Sequence, residues 1–402
     1  MVNFNPITGN PAAESAILLR RLAFFLLFLI LPIAAIVARR ALVIIVPVSI
    51  ALLVLAALLD RNYNPVGKSL KRLFLSPGVL LGILVTGWCV LSLIWSPFPE
   101  ETSDRLLTIL STIIVISAGY LALPDRMRAS NLYLLPIGVA VAIVLALAIE
   151  LTILDKDVFL DIDSIFQRGL FVLVMLFWPA LAWLRSRNRD WPAAGLLLIL
   201  LAALILSPYK TPLWAFLVGA AGYLTVKFTD GRGARAIAWI TAGLVAFAPV
   251  LPFLLKPLAV LLSAPDFVRA MDVCQRIVLD DLIRLITGRG FETLIHARMV
   301  GKLDLYAPAS TLFQIWYELG LVGALGTAAI ILLVVSKAGK LHAPLAPGMV
   351  AGFLSAYAFA CMGIGIAQSW STTAFASTVL IFIATSRGQF RTERPRIFIV
   401  RS

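Results

Sequence analysis

The sequence is poor in the residues that bind metal ions or form disulfides. Its 402 residues include two histidines and three cysteines. Two histidines cannot build a multi-histidine metal site, and three scattered cysteines are too few for a disulfide framework. No Cys-x-x-Cys, His-Glu-x-x-His, Walker or Gly-x-Gly-x-x-Gly run is present. We therefore expect no metal site and no bound cofactor.

Charged residues are also scarce. They make up 14% of the chain, against 61% hydrophobic residues, whereas soluble domains carry about 25% and about 45–50%. A soluble fold of this size would have to expose large apolar patches. The 34 basic residues outnumber the 21 acidic ones and give a net charge of +13, but they lie between long apolar runs. This distribution is typical of an integral membrane protein and argues against a nucleic-acid partner.

Apolar runs long enough to cross a bilayer recur along the chain. Because a backbone inside a bilayer must satisfy its own hydrogen bonds, we predict that these runs are helices and that the fold class is all-α. The twelve predicted spans are 22–38, 41–59, 74–95, 106–123, 132–153, 169–184, 192–207, 212–226, 236–262, 311–335, 346–367 and 370–385. They divide the chain into nine spans within 1–263, a large outer loop at 264–310, three spans within 311–386 and a basic tail at 387–402.

The basic residues also predict how the chain is oriented. With the N-terminus in the cytoplasm, most of the 34 arginines and lysines fall in cytoplasmic segments. Positive charge accumulates on the cytoplasmic side of membrane proteins. We therefore predict a multi-pass protein with both termini in the cytoplasm and the loop 264–310 on the outer face.

The outer loop is the one long hydrophilic insertion, and long loops often carry function. Its segment 266–286 predicts one amphipathic helix, because charged residues recur there every three or four positions. Asp272–Arg276 and Asp280–Arg284 are predicted as ion pairs one turn apart. From spacing alone, an interfacial helix with a solvated charged face is favoured over an anionic-substrate site.

After the loop, the tenth span opens on a polar pattern. Gln314 and Glu318 stand four residues apart and share a helix face, and a carboxylate so deep in an apolar helix is costly unless it is paired or hydrated. Together with Trp316, Gly320 and Gly323, they match the Leu-Gln-x-Trp-x-Glu-x-Gly-x-x-Gly pattern of one family. The stretch resembles the signature of the O-antigen ligase and O-antigen polymerase superfamily.

Weaker elements of the same family occur in order along residues 165–385. Gln167-Arg168-Gly169 opens the sixth span, and Gln275-Arg276 is similar to the family's His-Arg element. The run 288–292 is similar to its Gly-x-Gly-Phe element, and Gln368-Ser369-Trp370 lies between the last two spans. Twelve spans with one large outer loop also fit the family.

The resemblance implies a location, a reaction and partners. The location is the bacterial inner membrane, and the architecture is the GT-C-like one of polytopic glycosyltransferases. The donor is a polysaccharide on undecaprenyl diphosphate, which is a substrate and not a cofactor. The acceptor is a lipid A-core hydroxyl in ligases or another repeat unit in polymerases. Membrane lipids and other envelope-polysaccharide assembly proteins are the further partners that it implies.

The family's histidine-rich element is missing from this chain. Ala307 and Ala309 stand where members of the family carry histidine, and Ser310 stands where they often carry asparagine. The resemblance implies that one such histidine is the catalytic base or orients the substrate. A divergent enzyme with a relocated base, a protein without transferase chemistry and an engineered substitution all remain open at this point.

The resemblance and the chemistry together suggest roles for individual residues. The leaving diphosphate needs cationic groups, and the acceptor hydroxyl needs a base. The expected diphosphate or glycan contacts are Arg168, Lys210, Arg276, Arg289, Gln314, Trp316 and Trp370. The expected catalytic groups are His296 and Glu318. Competing interpretations are an interfacial arginine for Arg168, a turn residue for Lys210, a solvated loop side chain for His296 and a structural clamp for Glu318.

Two other classes of function also fit the sequence. A transporter or flippase for a lipid-linked or anionic solute would place functional charges deep in several spans. A catalytically impaired family member would bind glycan or act as a scaffold for its assembly, as the two alanines would allow. The leading hypothesis is a metal-independent glycosyltransferase.

Overall fold

The computed structural model describes residues 11–38, 40–60, 75–125, 127–152, 160–229, 231–304, 306–308, 310–341, 345–363 and 368–388. Within these ranges the chain is helical, and no β-strand occurs. The helices are α1 (Pro11–Phe25), α2 (Leu31–Val37), α3 (Ala41–Leu59), α4 (Pro77–Leu91), α5 (Pro99–Ala122), α6 (Ala129–Leu132), α7 (Leu134–Thr152), α8 (Leu160–Ser186), α9 (Asp190–Leu206), α10 (Lys210–Phe228), α11 (Arg232–Ala246), α12 (Leu251–Leu261), α13 (Pro265–Asp280), α14 (Leu282–Thr287), α15 (Thr293–Met299), α16 (Thr311–Ala338), α17 (Ala346–Cys361) and α18 (Ser369–Ser386). A π-helical turn joins α1 to α2, and a 3₁₀ turn at Ser92–Trp95 follows α4.

Many of these helices have the length and apolarity that a bilayer requires. In the described part of the chain, seven helices or joined helices could cross a membrane, and the number is eight if the bent pair α11–α12 is one span. Three further apolar helices, α9, α17 and residues 370–386, are shorter. The predicted all-α class with membrane-spanning helices is therefore confirmed, whereas the number of twelve spans stays a prediction.

The predicted span 236–262 is not one straight helix. Its two parts, α11 and α12, are bent by 94° at the break between them. Pro249 and Pro252 explain the break, because proline lacks an amide hydrogen and its ring clashes with the preceding helical turn. The hydrophobicity of residues 236–262 is uniform, so the hydropathy pattern gave no sign of this bend.

The predicted amphipathic helix is also divided. It ends at Asp280, and Asp281 leaves the helical conformation with φ −148°. The Asp281 carboxylate accepts a hydrogen bond from the Arg284 amide at 3.1 Å and caps α14. The two predicted ion pairs are therefore wrong: Asp272 pairs with Lys256 at 2.6 Å, and Arg284 lies 4.0 Å from Asp281.

Helix α8 lies at the centre of the largest apolar core. It packs against α2, α7, α9, α10, α17 and α18. The Trp178 indole donates to Ser355 Oγ at 2.9 Å, and Ser355 donates to the Ala215 carbonyl at 3.0 Å. This relay joins α8, α17 and α10, because an indole N–H buried in an apolar core needs an acceptor.

Gly219 of α10 permits this close packing and provides a test of it. A Cβ at position 219 would lie 2.7 Å from Trp178 Cζ2 and closer still to Ser355 Oγ. Because crowding in a packed core costs about 1–3 kcal/mol, we expect Gly219→Ala to lower the midpoint of thermal unfolding in detergent. The matched control is Gly243→Ala in α11, where a Cβ would meet nothing within 4 Å. Equal midpoints for the two variants would contradict this packing.

Candidate functional site

The signature helix α16 is broken at Gly320, which has φ 62° and ψ −156°. The break frees three main-chain carbonyl groups from their usual partners in the helix. The amides of Arg289 and Gly290 donate to the carbonyls of Tyr317 and Glu318 at 2.9 and 3.0 Å. The Trp88 indole donates to the Leu319 carbonyl at 3.0 Å. Residues of the outer loop and of helix α4 thus donate hydrogen bonds to all three carbonyl groups. Backbone groups in apolar surroundings need such partners.

Glycine is required on both sides of this contact. A Cβ at Gly320 would lie 2.6 Å from the Gly288 nitrogen and closer still to the Ile286 carbonyl oxygen. A Cβ at Gly288 would lie 2.7 Å from the Leu319 nitrogen. Both residues also have positive φ values, which L side chains rarely adopt. The Gly-Arg-Gly run and the signature helix, more than twenty residues apart in sequence, therefore form one tightly packed unit.

The same loop is fixed to the end of α4 and the start of α5. The Phe291 amide donates to Ser92 Oγ at 3.1 Å, and Thr102 Oγ1 donates to the Phe291 carbonyl at 2.9 Å. Thr293 Oγ1 donates to the Gly290 carbonyl at 2.6 Å. Hydroxyl groups from three elements thus hold residues 290–293 in one conformation.

Glu318 lies at the centre of this unit and is only 2% exposed. Its Oε1 accepts hydrogen bonds from Gln314 Nε2 at 3.0 Å and from the Leu294 amide at 3.2 Å. Leu294 lies in the first turn of α15, where unpaired amides favour a negative charge. The carboxylate therefore ties the signature helix to the segment that carries His296.

A second buried carboxylate lies in the same loop. Glu292 adopts the left-handed conformation with φ 59°, and its Oε2 lies 3.8 Å from Arg105 Nε, with both side chains less than 10% exposed. Burial raises the pKa of the Glu292 carboxyl above its usual range, while the positive charge of Arg105, and that of His296 when it is protonated, opposes that rise. The pair anchors the outer loop to α5.

His296 lies next to this pair and is half-buried. Its Nδ1 is 3.0 Å from the Glu292 carbonyl oxygen, and its ring centroid is 5.6 Å from that of Phe98. Phe98 in turn packs on a small apolar cluster that includes the buried Ala307. Phe98 thus links the histidine to the cluster that contains one of the two alanine positions.

The other positions of the missing element have plainer surroundings. Ser310 Oγ accepts a hydrogen bond from the Phe313 amide at 3.4 Å and caps α16. Ala309 lies outside the described residues.

A surface pocket lies between α12, α13, α14 and the first turns of α16. Arg284 and Arg289 bring two guanidinium groups to it, and Asp281 brings one carboxylate. The Arg289 guanidinium stacks 4.8 Å from the Tyr317 ring. Trp316 lines the same pocket and donates its indole N–H to the Val245 carbonyl at 2.7 Å, beside the bend between α11 and α12. The pocket therefore combines cationic groups with aromatic faces.

The remaining candidate residues are distributed over other parts of the fold. Arg276 is exposed on α13 and does not line the pocket. Arg168 lies 5.5 Å from the Trp370 ring, and this ring also packs edge-on against Phe171 in the central core. Lys210 donates to the carbonyls of Ile205 and Ser207 at 2.9 and 2.7 Å, so it caps the end of α9.

Some residues of the site were not singled out from the sequence. Trp88, Arg105 and Glu292 were not assigned any role, and Arg284 was assigned only to a helix-face pair. Arg105 carried a signal, because an arginine just inside the start of an apolar helix needs a buried partner. Nothing in the sequence indicated that Glu292 is that partner.

Within the described residues, no three histidine, cysteine, aspartate or glutamate side chains converge as metal ligands would. Comparison with protein-family models, with curated proteins and with solved structures finds no match to this chain.

Glu318 allows a test of the contact between α16 and α15. Removal of its carboxylate leaves the Gln314 amide and the Leu294 N–H without an acceptor, and an unsatisfied buried donor costs about 1–3 kcal/mol. We expect Glu318→Ala to lower the thermal unfolding midpoint clearly, and Glu318→Gln, which keeps one acceptor oxygen, to lower it less. The exposed Glu100 provides the control, since Glu100→Ala should leave the midpoint nearly unchanged. Equal losses in the two Glu318 variants would contradict this role.

Proposed function

We propose that the protein is a polytopic inner-membrane glycosyltransferase that acts on undecaprenyl-diphosphate-linked polysaccharide at the outer face. The observation that carries the proposal is the pocket in which Arg284 and Arg289 lie beside Trp316 and Tyr317. Of its lining residues, Arg289, Trp316 and Tyr317 lie in the segments that resemble the O-antigen ligase and polymerase superfamily.

The pocket suits the leaving group of such a reaction. The acceptor hydroxyl oxygen forms a bond to the anomeric carbon of the donor sugar, and the bond from that carbon to the diphosphate oxygen breaks. The leaving diphosphate then carries the released negative charge. One guanidinium group can bind two phosphate oxygens at once. Cations that are fixed where negative charge develops stabilise the transition state and contribute strongly to catalysis.

His296 is the base in this proposal, and Glu318 is a positioning residue. When Nδ1 of His296 donates to the Glu292 carbonyl, Nε2 carries the free lone pair that can accept the proton of the acceptor hydroxyl. The Glu318 carboxylate already accepts two hydrogen bonds and holds the first turn of α15. In this proposal, His296 on α15 therefore takes the role that the family's histidine would have at position 307 or 309.

Several contacts support the part of the proposal that places both termini on one side of the membrane. Segments assigned to the cytoplasm meet one another: Arg20 binds Asp60 at 2.9 Å, and the Met127 amide donates to the Arg387 carbonyl at 2.9 Å. Two span ends assigned to the outer face also approach each other: Thr311 Oγ1, at the start of one span, donates to the Ala360 carbonyl, in the last third of the next, at 3.0 Å. Such pairing is expected when consecutive helices alternate in direction, and it is compatible with a GT-C-like arrangement.

The broken helix does not favour the transporter alternative. Transporters often use the free carbonyls of a broken span to coordinate ions. Here the carbonyls of Tyr317, Glu318 and Leu319 already accept hydrogen bonds from the outer loop and from Trp88. The catalytically impaired alternative retains one supporting observation, since Ala307 is buried in an apolar cluster and carries no titratable group.

Arg289 provides the activity test. Its amide fixes the loop, whereas its side chain lines the pocket, so Arg289→Gln should fold and lose only the guanidinium charge and its stacking on Tyr317. With purified protein in lipid nanodiscs, a polyprenyl-diphosphate-linked glycan as donor and lipid A-core or a second donor as acceptor, we expect Arg289→Gln to slow transfer by about a hundredfold. The matched control is Arg269→Gln, an exposed arginine that contacts Tyr306 and should stay within about twofold of the parent protein. Product is measured by gel and mass spectrometry.

Each other outcome separates the alternatives. Unchanged transfer in Arg289→Gln would contradict the assignment of the pocket. Binding of the glycan without any product would favour the impaired family member, and uptake into vesicles without a covalent product would favour the transporter. If only Ala309→His restores surface polysaccharide in a deletion strain, the proposed role of His296 as the base fails.

A further inference from the structure

A second cationic pocket lies at the opposite group of helix ends, far along the chain from the outer loop. One wall is a single face of α1, formed by Ile17, Arg20, Arg21 and Phe24. The other wall follows α5 and is formed by Pro124, Met127, Arg128 and Asn131. We call this pocket the arginine pocket.

Three arginines and no acidic residue are among the described residues that line the arginine pocket. Asp60, outside the lining, lies 2.9 Å from Arg20 Nη2. In the described part of the chain, no acceptor lies within hydrogen-bond distance of the buried Arg20 Nε. A buried donor of this kind is costly unless a ligand or water accepts from it.

The second wall is held in place by the chain's last described residues. The Met127 amide donates to the Arg387 carbonyl, and the Arg387 guanidinium donates to the Leu123 carbonyl at 2.6 Å. Arg387 therefore caps the end of α5, and its charge is not directed to the pocket. A wall fixed in this way positions Arg128 and Asn131 before any ligand arrives.

The surroundings are apolar on one side. Leu18 and Leu22 of α1, next to Arg21, are 68% and 46% exposed. Their helix belongs to a segment that can cross a membrane, Pro11–Val37. A ligand that joins a phosphate group to acyl chains would contact the arginines and these leucines together.

We propose that the arginine pocket binds the phosphate head group of an anionic glycerophospholipid from the surrounding membrane. Guanidinium forks match phosphate oxygens in pairs, and basic pockets between helices on the cytoplasmic side favour anionic head groups. The Asn131 amide supplies a further donor of the kind that phosphate and glycerol oxygens accept. This inference does not depend on the proposed transferase activity.

The test uses the full-length protein in a neutral detergent. Cardiolipin, phosphatidylglycerol, phosphatidylcholine or inorganic phosphate is added, and bound lipid is measured by native mass spectrometry beside the thermal unfolding midpoint. The variant is Arg21→Gln with Arg128→Gln, which leaves the Arg20–Asp60 pair intact. The matched control is Arg232→Gln with Arg235→Gln, two exposed arginines at the start of α11.

We expect cardiolipin and phosphatidylglycerol, but not phosphatidylcholine, to remain bound and to raise the midpoint. The pocket variant should lose that retention by about tenfold or more, while the control stays within about twofold. If inorganic phosphate alone raises the unfolding midpoint as much as the anionic lipids do, and the pocket variant abolishes that rise, the pocket binds phosphate. Its ligand is then a soluble phosphate, and the lipid proposal is overturned. Equal retention of neutral and anionic lipids, or equal loss in the control, would overturn the proposal. A pocket variant with an unchanged midpoint in the absence of lipid shows that its loss is not one of folding.

Discussion

Hydrogen-bond satisfaction at the Gly320 break is the constraint on which the arrangement of α4, α5, α15 and α16 around residues 288–293 depends. A helix interrupted among apolar neighbours leaves carbonyl groups that no water can reach, and each unsatisfied group costs free energy. The chain meets this requirement with donors from far away in sequence, the amides of 289 and 290 and the indole of Trp88. The position of the outer loop follows from that requirement.

The same constraint brings the charged groups together. Because residues 288–290 lie against the broken turn, Glu292, two residues further on, lies beside Arg105 of α5. Glu318 then accepts a hydrogen bond from the Leu294 amide in the first turn of α15. The Glu292–Arg105 pair and the Glu318–Leu294 hydrogen bond each join two different elements, which limits the ways in which these elements can be arranged. The half-buried His296 contacts the Glu292 carbonyl, and Arg289 of the pocket donates its amide to the Tyr317 carbonyl, so both border this arrangement.

A second interruption, between α11 and α12, is coupled to the first through Trp316. Trp316 lies one turn before Gly320 on α16. Its indole N–H donates to the Val245 carbonyl at the end of α11. Because α12 is bent by 94° from α11, it packs on α13 and forms one side of the pocket. Two broken helices and one tryptophan thus produce a concave surface that two continuous spans would not offer.

Composition and hydropathy by themselves determined the helical class, because a backbone in an apolar medium has few other ways to pair its own groups. The sequence also indicated Glu318 as an unusual residue, since a carboxylate deep in an apolar helix must be paired or hydrated. Four predicted residues, Arg289, Gln314, Trp316 and Glu318, do lie on one connected unit.

The tertiary structure alone decided the partners. The amphipathic pattern of α13 did not show that Asp272 binds Lys256, because Lys256 reaches it only through the bend after α11. The turn at Lys210 did not show that the ammonium group caps α9, and the glycines at 288 and 320 did not show that they touch each other. Periodicity reports which face of a helix is apolar, whereas the identity of the neighbour depends on how separate helices pack.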